Sequence, residues 1–378
     1  MNPLKRLSLC TMTAALAAIA SAGCAGQTKE GPGGDAAGPA PVETKSVTTA
    51  REVDVASWCG DKRLKIGLAD GFGGNAWRLI SKEVVRQEAA KCPALDTDIL
   101  YANADGDQQK ANSDISGLVA QGVNVLLVYP DFGQAQLPAL RAAAKAGVTV
   151  IPYDAAAGGK PGTDYTATTI ADTVAGGEDL ADWVGRTVKS GNVVFLGGIP
   201  GAPTSEEYIS GIKRRLAKYP DVKLLLDKPV VTNWNKVDAQ KAVTGLIAKY
   251  PRIDAVITDY GVTAVAAVDA FRAAGKKVPA IASLATNNEL GCVWKKAGSG
   301  SGRFEIFSID STNDMAQLAL RQGVAAANGK PVTPVQLFRL PVFTDSTAGK
   351  NPPCDPSLPP DADLSSPLDT AGLKATLR

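Results

Sequence analysis

The chain has 378 residues, 40 basic and 38 acidic side chains, a net charge of +2 and 45% apolar residues. That length and apolar content allow two domain cores of ordinary size, and the scattered charge excludes a strong pull towards nucleic acid or an anionic membrane. There is no histidine, which excludes a Ser-His-Asp or Cys-His catalytic machine and any His-ligated metal site.

In chain order, Lys5 and Arg6 precede an apolar run from Leu7 to Ala20 that is too short to span a bilayer. Ser21-Ala22-Gly23-Cys24 follows, small residues before a cysteine, in the manner of a lipoprotein cleavage site. Ser21 stands where such sites usually carry leucine. Residues 1–23 are read as a signal peptide and Cys24 as the acylated first residue of an exported, membrane-anchored chain. Residues 24–57 are rich in Gly, Ala, Pro, Thr and Glu and predict a disordered tether. Of the six cysteines, Cys10 leaves with the signal and Cys24 is the anchor. Cys59, Cys92, Cys292 and Cys354 remain, an even number that predicts two disulfides in an oxidising compartment. Three pairings are possible. Cys59 precedes a strand and Cys92 ends the helix after it, so both return to one sheet edge; this favours Cys59–Cys92 and leaves Cys292–Cys354. No CxxC spacing supports zinc or redox chemistry.

From residue 63 the pattern changes. Strands are predicted at 64–69, 123–128, 148–151, 192–197, 222–226, 253–257, 279–283 and 303–309. Another ends near Leu100-Tyr101-Ala102. Helices are predicted at 76–91, 134–146, 172–189, 205–218, 235–250, 262–275 and 312–328. Apolar runs alternating with amphipathic helices imply parallel sheets covered on both faces. About ten such units suit two doubly wound lobes of about five strands each. After residue 345 the chain is rich in Pro and Asp and reads as an extended tail.

Ligands of open parallel sheets sit beyond the carboxyl ends of the strands. The residues there are Asp70, Phe72, Asn75 and Trp77 after the first strand, Asp131 after the third and Asp154 after the fourth. Asp172 follows near the middle of the chain, then Glu206, Glu207 and Tyr208, Trp234 between Asn233 and Asn235, Asp259 and Tyr260, Asn287 and Asn288, and Asp310. Carboxylates and amides satisfy hydroxyls, and flat aromatics cover the apolar faces of a sugar ring. Each has a plainer reading. Asp131 and Asp172 suit helix caps, Glu206 suits the first turn of a helix, and Trp77 and Trp234 suit a core. The run Gly71 to Ala76 fits G-x-G-x-x-A, a dinucleotide fingerprint. The next strand, however, has no acidic residue at its tip, and no Walker A sequence occurs.

Several stretches together carry a family resemblance: Lys65-Ile66-Gly67-Leu68, Gly74-Asn75-Ala76-Trp77, Gln121 to Val128, Ala146 to Asp154, and Tyr250-Pro251-Arg252-Ile253-Asp254-Ala255-Val256. Residues 63–340 resemble the type 1 periplasmic solute-binding proteins of the ribose-binding kind, which serve ATP-driven sugar importers. The resemblance implies two α/β lobes joined by three crossing segments, with a ligand cleft between them that closes by hinge motion. The expected lobes are residues 58–171 with 311–333, and 172–310 with 334–344, followed by the tail 345–378. It carries ligand positions onto Asn75, Trp77, Asp154, Asp172 and Trp234, and onto Asp259 or Tyr260, Asn287 or Asn288, and Asp310. It implies a monomeric binding protein rather than an enzyme, with no cofactor or metal, working with a membrane permease and a cytoplasmic ATPase; a sensory binding protein shares the fold. A glycosidase built on sheet-edge acid pairs is the enzymatic alternative. Ribose binders place arginine directly after the fourth-strand acid and at the start of a second-lobe helix. Here those positions hold Ala155 and a residue near Glu206. The expected ligand is therefore a sugar or polyol other than ribose, or a molecule with amino donors.

Overall fold

The computed structural model describes residues 44–300 and 302–378. The signal segment, Cys24 and residues 25–43 of the expected tether lie outside the described residues.

Strand β1 (Thr44–Ser46) and helices α1 (Val47–Arg51) and α2 (Val55–Trp58) lead into the first lobe. It continues through β2 (Ile66–Asp70), α3 (Ala76–Ala89), β3 (Leu100–Asn103), α4 (Gln108–Ala120), β4 (Val125–Tyr129), α5 (Leu137–Lys145), β5 (Thr149–Asp154) and β6 (Thr168–Ala171). The chain then crosses into α6 (Thr173–Val188), β7 (Gly191–Gly197), α7 (Pro203–Leu216), β8 (Val222–Leu224), β9 (Val230–Val231) and α8 (Lys236–Lys249). The second lobe is completed by β10 (Ala255–Thr258), α9 (Gly261–Ala273), β11 (Ala280–Leu284), α10 (Asn288–Ala297) and β12 (Ile306–Ile309). Helix α11 (Asp314–Ala327) returns to the first lobe with β13 (Val335–Arg339), β14 (Val342–Asp345) joins the second, and α12 (Thr370–Thr376) lies near the end.

The first sheet has the order β1-β13-β6-β5-β4-β2-β3, every pair parallel. The second runs β14-β12-β11-β10-β7-β8, with only β14 antiparallel and β9 paired to β7. Central strands such as Val125-Leu126-Leu127-Val128-Tyr129 are buried on both faces, which is why they read as unbroken apolar runs. The chain passes between the sheets three times, after β6, after β12 and after β13. This is the two-lobed, doubly wound α/β architecture expected from the sequence.

Strands β6, β9, β13 and β14 are absent from the sequence reading, and four further features differ from it. Helix α4 is absent from the sequence reading, although its buried Ala111, Ile115 and Leu118 fall at the helical spacing i, i+4, i+7; its cap, Asp107, accepts from the amides of Gln109 and Lys110. Residues 44–58 are not part of a tether. They add an edge strand to β13, bury Trp58 and send Arg51 to Asp310 and Asp314 at 3.0 and 2.7 Å. Residues 335–339 belong to the first sheet rather than the second lobe, since β13 pairs with β6. The tail is not simply extended: Leu358, Ala362, Leu368 and Leu373 form a buried cluster with Ile80 and Val84 of α3. Its prolines disguise this, because they interrupt any helical or strand period.

Both expected disulfides are present, Cys59–Cys92 and Cys292–Cys354. The first closes a loop across 33 residues. Replacing Cys59 and Cys92 by serine is expected to cost about 2–4 kcal/mol of stability, read as a lower calorimetric Tm than the oxidised wild type. An unchanged Tm would mean the bridge constrains nothing that matters to unfolding.

Candidate functional site

The carboxyl edges of the two sheets face each other across a cleft. On the first lobe, Asn75 caps α3 by accepting from the Arg78 amide at 3.0 Å. This fixes the first helical turn so that Trp77 and Arg78 lie over the strand ends. The buried Arg78 guanidinium donates to Asp70 at the end of β2 (3.1 Å) and to Asp131 beyond β4 (2.8 Å). Its carbon stands 3.5 Å from the centroid of the Tyr129 ring. Burial opposes its charge, but Asp131 and Asp70 hold its pKa well above the ordinary arginine value. Asp70 also accepts from Tyr101 at 2.9 Å and Tyr153 at 3.3 Å. Asp131 accepts from the Phe72 amide at 2.9 Å and is pushed up to about 6, chiefly by burial.

On the second lobe, Asn233 and Trp234 both adopt left-handed backbone, with φ of 49° and 48°. The turn lays the Trp234 indole against Gly198, where any Cβ would overlap the ring. Trp234 Nε1 donates to Asp259 at 3.1 Å, and Ser205 donates to the other oxygen of Asp259 at 2.5 Å. The lobes touch through the Phe72 and Trp234 rings, 5.6 Å apart and edge-on. A second contact is the Tyr129 hydroxyl with Thr204 at 3.4 Å.

The cavity between them is lined by Asn75, Trp77, Arg78, Tyr129 and Asp154 of the first lobe. Thr173, Thr204, Tyr208, Trp234, Asp259, Tyr260, Leu284 and Ala285 face them from the second, and Ser311 and Thr312 from a crossing. Three buried polar atoms on this lining have no hydrogen-bond partner: Asp154 Oδ1, the Tyr208 hydroxyl and Thr312 Oγ1. Such orphans are costly in a dry interior. Asp154, Trp234, Ala285 and Thr312, all on the lining, also have φ between 48° and 68°. Backbone strain of this kind gathers where a ligand is held.

Seven of the expected residues thus line the cavity: Asn75, Trp77, Asp154, Tyr208, Trp234, Asp259 and Tyr260. Phe72 packs on Trp234. Asp70 and Asp131 lie behind the wall as the counter-ions of Arg78. Four expected residues are placed elsewhere. Asp172 caps α6, accepting from the Ala175 amide. Glu206 is exposed in the first turn of α7. Asn288 binds carbonyls of the tail, and Asp310 pairs with Arg51. The glycine run is no phosphate cradle, because the Phe72 and Gly73 amides are already taken by Asp131 and Asn103. Sequence reasoning missed Arg78, Tyr129, Thr173, Thr204, Ser311 and Thr312. Arg78 had a signal, a basic residue on the first helical turn between sheet-edge acids; the threonines had none.

The chain belongs to the family described as the periplasmic binding protein domain, whose model matches residues 66–331. It is 28% identical over 218 residues to a ribose import binding protein of Bacillus subtilis (strain 168), covering 57% of this chain and 68% of that protein. It is 25% identical over 250 residues to a xylitol-binding protein of Mycolicibacterium smegmatis, covering 65% and 68%. A solved structure from Mycobacterium smegmatis in complex with β-D-fucofuranose shares the fold, with a TM-score of 0.66 at 21% identity, covering 76% of this chain and 93% of that one.

Burial is the main cause that pushes Asp154, Asp259 and Asp310 each up to about 7. An unfolded aspartate releases its proton near pH ~3.9. Between about pH 4 and 7 the folded chain therefore holds more protons than the unfolded one, and stability falls as pH rises through that window. Calorimetry of the ligand-free protein should show this decline, and Asp154→Asn should flatten it. A wild-type Tm that climbs across the window would contradict the assignment.

Proposed function

We propose that the protein is the extracytoplasmic substrate-binding component of an ABC importer, and that its ligand is a sugar or a sugar-like polyol. One observation carries the reading: three unpartnered polar atoms, Asp154 Oδ1, Tyr208 OH and Thr312 Oγ1, share one interlobe cavity with the Trp234 indole. A polyhydroxylated ring supplies donors and acceptors to the first three and an apolar face to the fourth. The relatives' specificities for ribose and xylitol support the class. Arg78, which supplies the guanidinium among the described lining residues, is already engaged by two carboxylates. Ala155, and a position near Glu206, stand where ribose binders carry further arginines, so ribose is a poor fit. Function is binding and release. The lobes close over the ligand, which is handed to a membrane permease driven by a cytoplasmic ATPase. In this reading Cys24 carries the lipid that holds a monomeric domain at the membrane, and Asp154 and Asp259 accept from ligand hydroxyls.

A thermal-shift screen of the signal-free protein against pentoses, hexoses, polyols and amino sugars tests the proposal. A ligand at 100 times its Kd should add about 2.7 kcal/mol of stability. Asp154→Asn and Trp234→Ala should each weaken the best hit; for Asp154, a weakened hydrogen bond is worth about 0.5–1.5 kcal/mol, roughly 2- to 13-fold in Kd. A hit confined to amino sugars would shift the ligand class towards amino donors. No response to any member of the panel would sink the carbohydrate reading.

A further inference from the structure

Residues 353–376 join the two lobes by a route separate from the three crossings. On the second lobe the attachment is covalent, through Cys354 to Cys292 of α10. The free amides at the start of α10 add to it: Asn288 N–H donates to the Ala362 carbonyl at 2.8 Å, and Glu289 N–H to that of Pro360 at 2.6 Å. The Asn288 side chain donates to the Asp355 and Leu358 carbonyls at 2.8 and 3.1 Å and accepts from the Asp355 amide at 2.9 Å. The approach is close enough that a Cβ at Gly291 would overlap the Pro353 carbonyl.

On the first lobe the attachment is mainly apolar, with a long polar contact from Arg51 to the Ser365 carbonyl at 3.3 Å. Leu358, Ala362, Leu368 and Leu373 are buried against Ile80 and Val84. Those two residues belong to α3, the helix whose first turn supplies Trp77 and Arg78 to the cleft. Between the two attachments, Asp361, with Leu377 and Arg378 from beyond α12, lines a surface pocket beside Asn75, Trp234 and Tyr260, at the mouth of the cleft.

We propose that the segment Cys354–Thr376 is an interlobe latch that restricts how far the cleft opens. Opening must carry the start of α3 away from the starts of α9 and α10. The segment cannot leave α10, where a disulfide and several hydrogen bonds hold it. Opening therefore has to peel its apolar face from α3. Apolar contact is non-directional and roughly proportional to area, so that face can release and reseal without exact register. The intact latch favours the closed form, and a closed form that is already populated lowers the cost that ligand binding must meet. The proposal goes beyond the solute-binding reading. Its test needs no ligand, so its failure is distinguishable from failure of that reading.

The test compares the wild-type chain with Leu368→Ser/Leu373→Ser, which loosens the first-lobe attachment, and with Cys292→Ser/Cys354→Ser, which loosens the other. Small-angle X-ray scattering gives the radius of gyration of each ligand-free protein. Acrylamide quenching of tryptophan fluorescence gives exposure of the cleft, because Trp77 and Trp234 line it while Trp58, Trp183 and Trp294 are buried. Both variants are expected to show a larger radius of gyration and stronger quenching, with far-UV circular dichroism unchanged. If either serine variant fails to fold, Leu373→Ala is measured in the same way, with the same expectation. Folded variants with wild-type scattering and quenching overturn the latch.

Discussion

Arg78 is the charge around which the first-lobe wall of the cleft is arranged. Its guanidinium joins Asp70 on β2 to Asp131 beyond β4 while its flat face lies on Tyr129. One side chain thus fixes the helix start relative to two strand ends. Lysine could not do this, because the geometry needs two divergent N–H donors and a planar face. The arrangement is also unforgiving: removing one partner of a buried ion pair typically costs about 3–5 kcal/mol, because the other charge is stranded. Asp70 and Asp131 are therefore read as ligand contacts from the sequence and found as structural counter-ions. They hold Arg78 in the cavity wall beside Trp77 and Asn75.

The second-lobe wall is set by backbone rather than charge. Two consecutive left-handed residues, Asn233 and Trp234, turn the indole onto Gly198, and Asp259 then fixes the ring through its Nε1. Asparagine tolerates that conformation; tryptophan adopts it at a cost. The two walls differ in a useful way. One is held by a buried ion-paired network, while the other presents a flat apolar ring beside Asp259, whose pKa is raised by burial. A neutral polyol suits such a pair, since it needs hydroxyl partners and a ring face but no counter-ion.

Much of this was legible in the residues. Buried parallel strands announce themselves as apolar runs, and their carboxyl ends locate the cleft edge, which is why Trp77, Asp154, Trp234 and Asp259 could be named from sequence. The failures have specific causes. Asp172 and Glu206 sit at helix starts, where the preference of helices for acids imitates a ligand site. Asn288 and Asp310 follow strands as site residues do, but distant segments of the chain claim them, the tail for Asn288 and the N-terminal Arg51 for Asp310. Thr204 and Thr312 reach the cavity only through tertiary geometry. Strands β6 and β13 were hidden because short strands near the sheet edge mix polar with apolar residues, as Thr-Thr-Ile-Ala and Val-Gln-Leu-Phe-Arg do.

The crossing between β12 and α11 is where these pieces meet. The Ser311 carbonyl accepts from Trp77 of the cleft, and its amide donates to Ser365 of the tail at 3.1 Å. Asn313 donates to the Trp77 carbonyl and to Ser81, both on α3. Arg51, from the segment nearest the N-terminal end of the described chain, donates to Asp310, Asp314 and the Ser365 carbonyl. Residues 310–314 therefore carry contacts from the N-terminal segment, the cleft helix and the tail at once. A change in the angle between the lobes must alter torsions within these few residues, and each of those contacts is directional. One short crossing thus bears, within residues 310–314, the hydrogen bonds that tie the cleft helix, the N-terminal segment and the tail together.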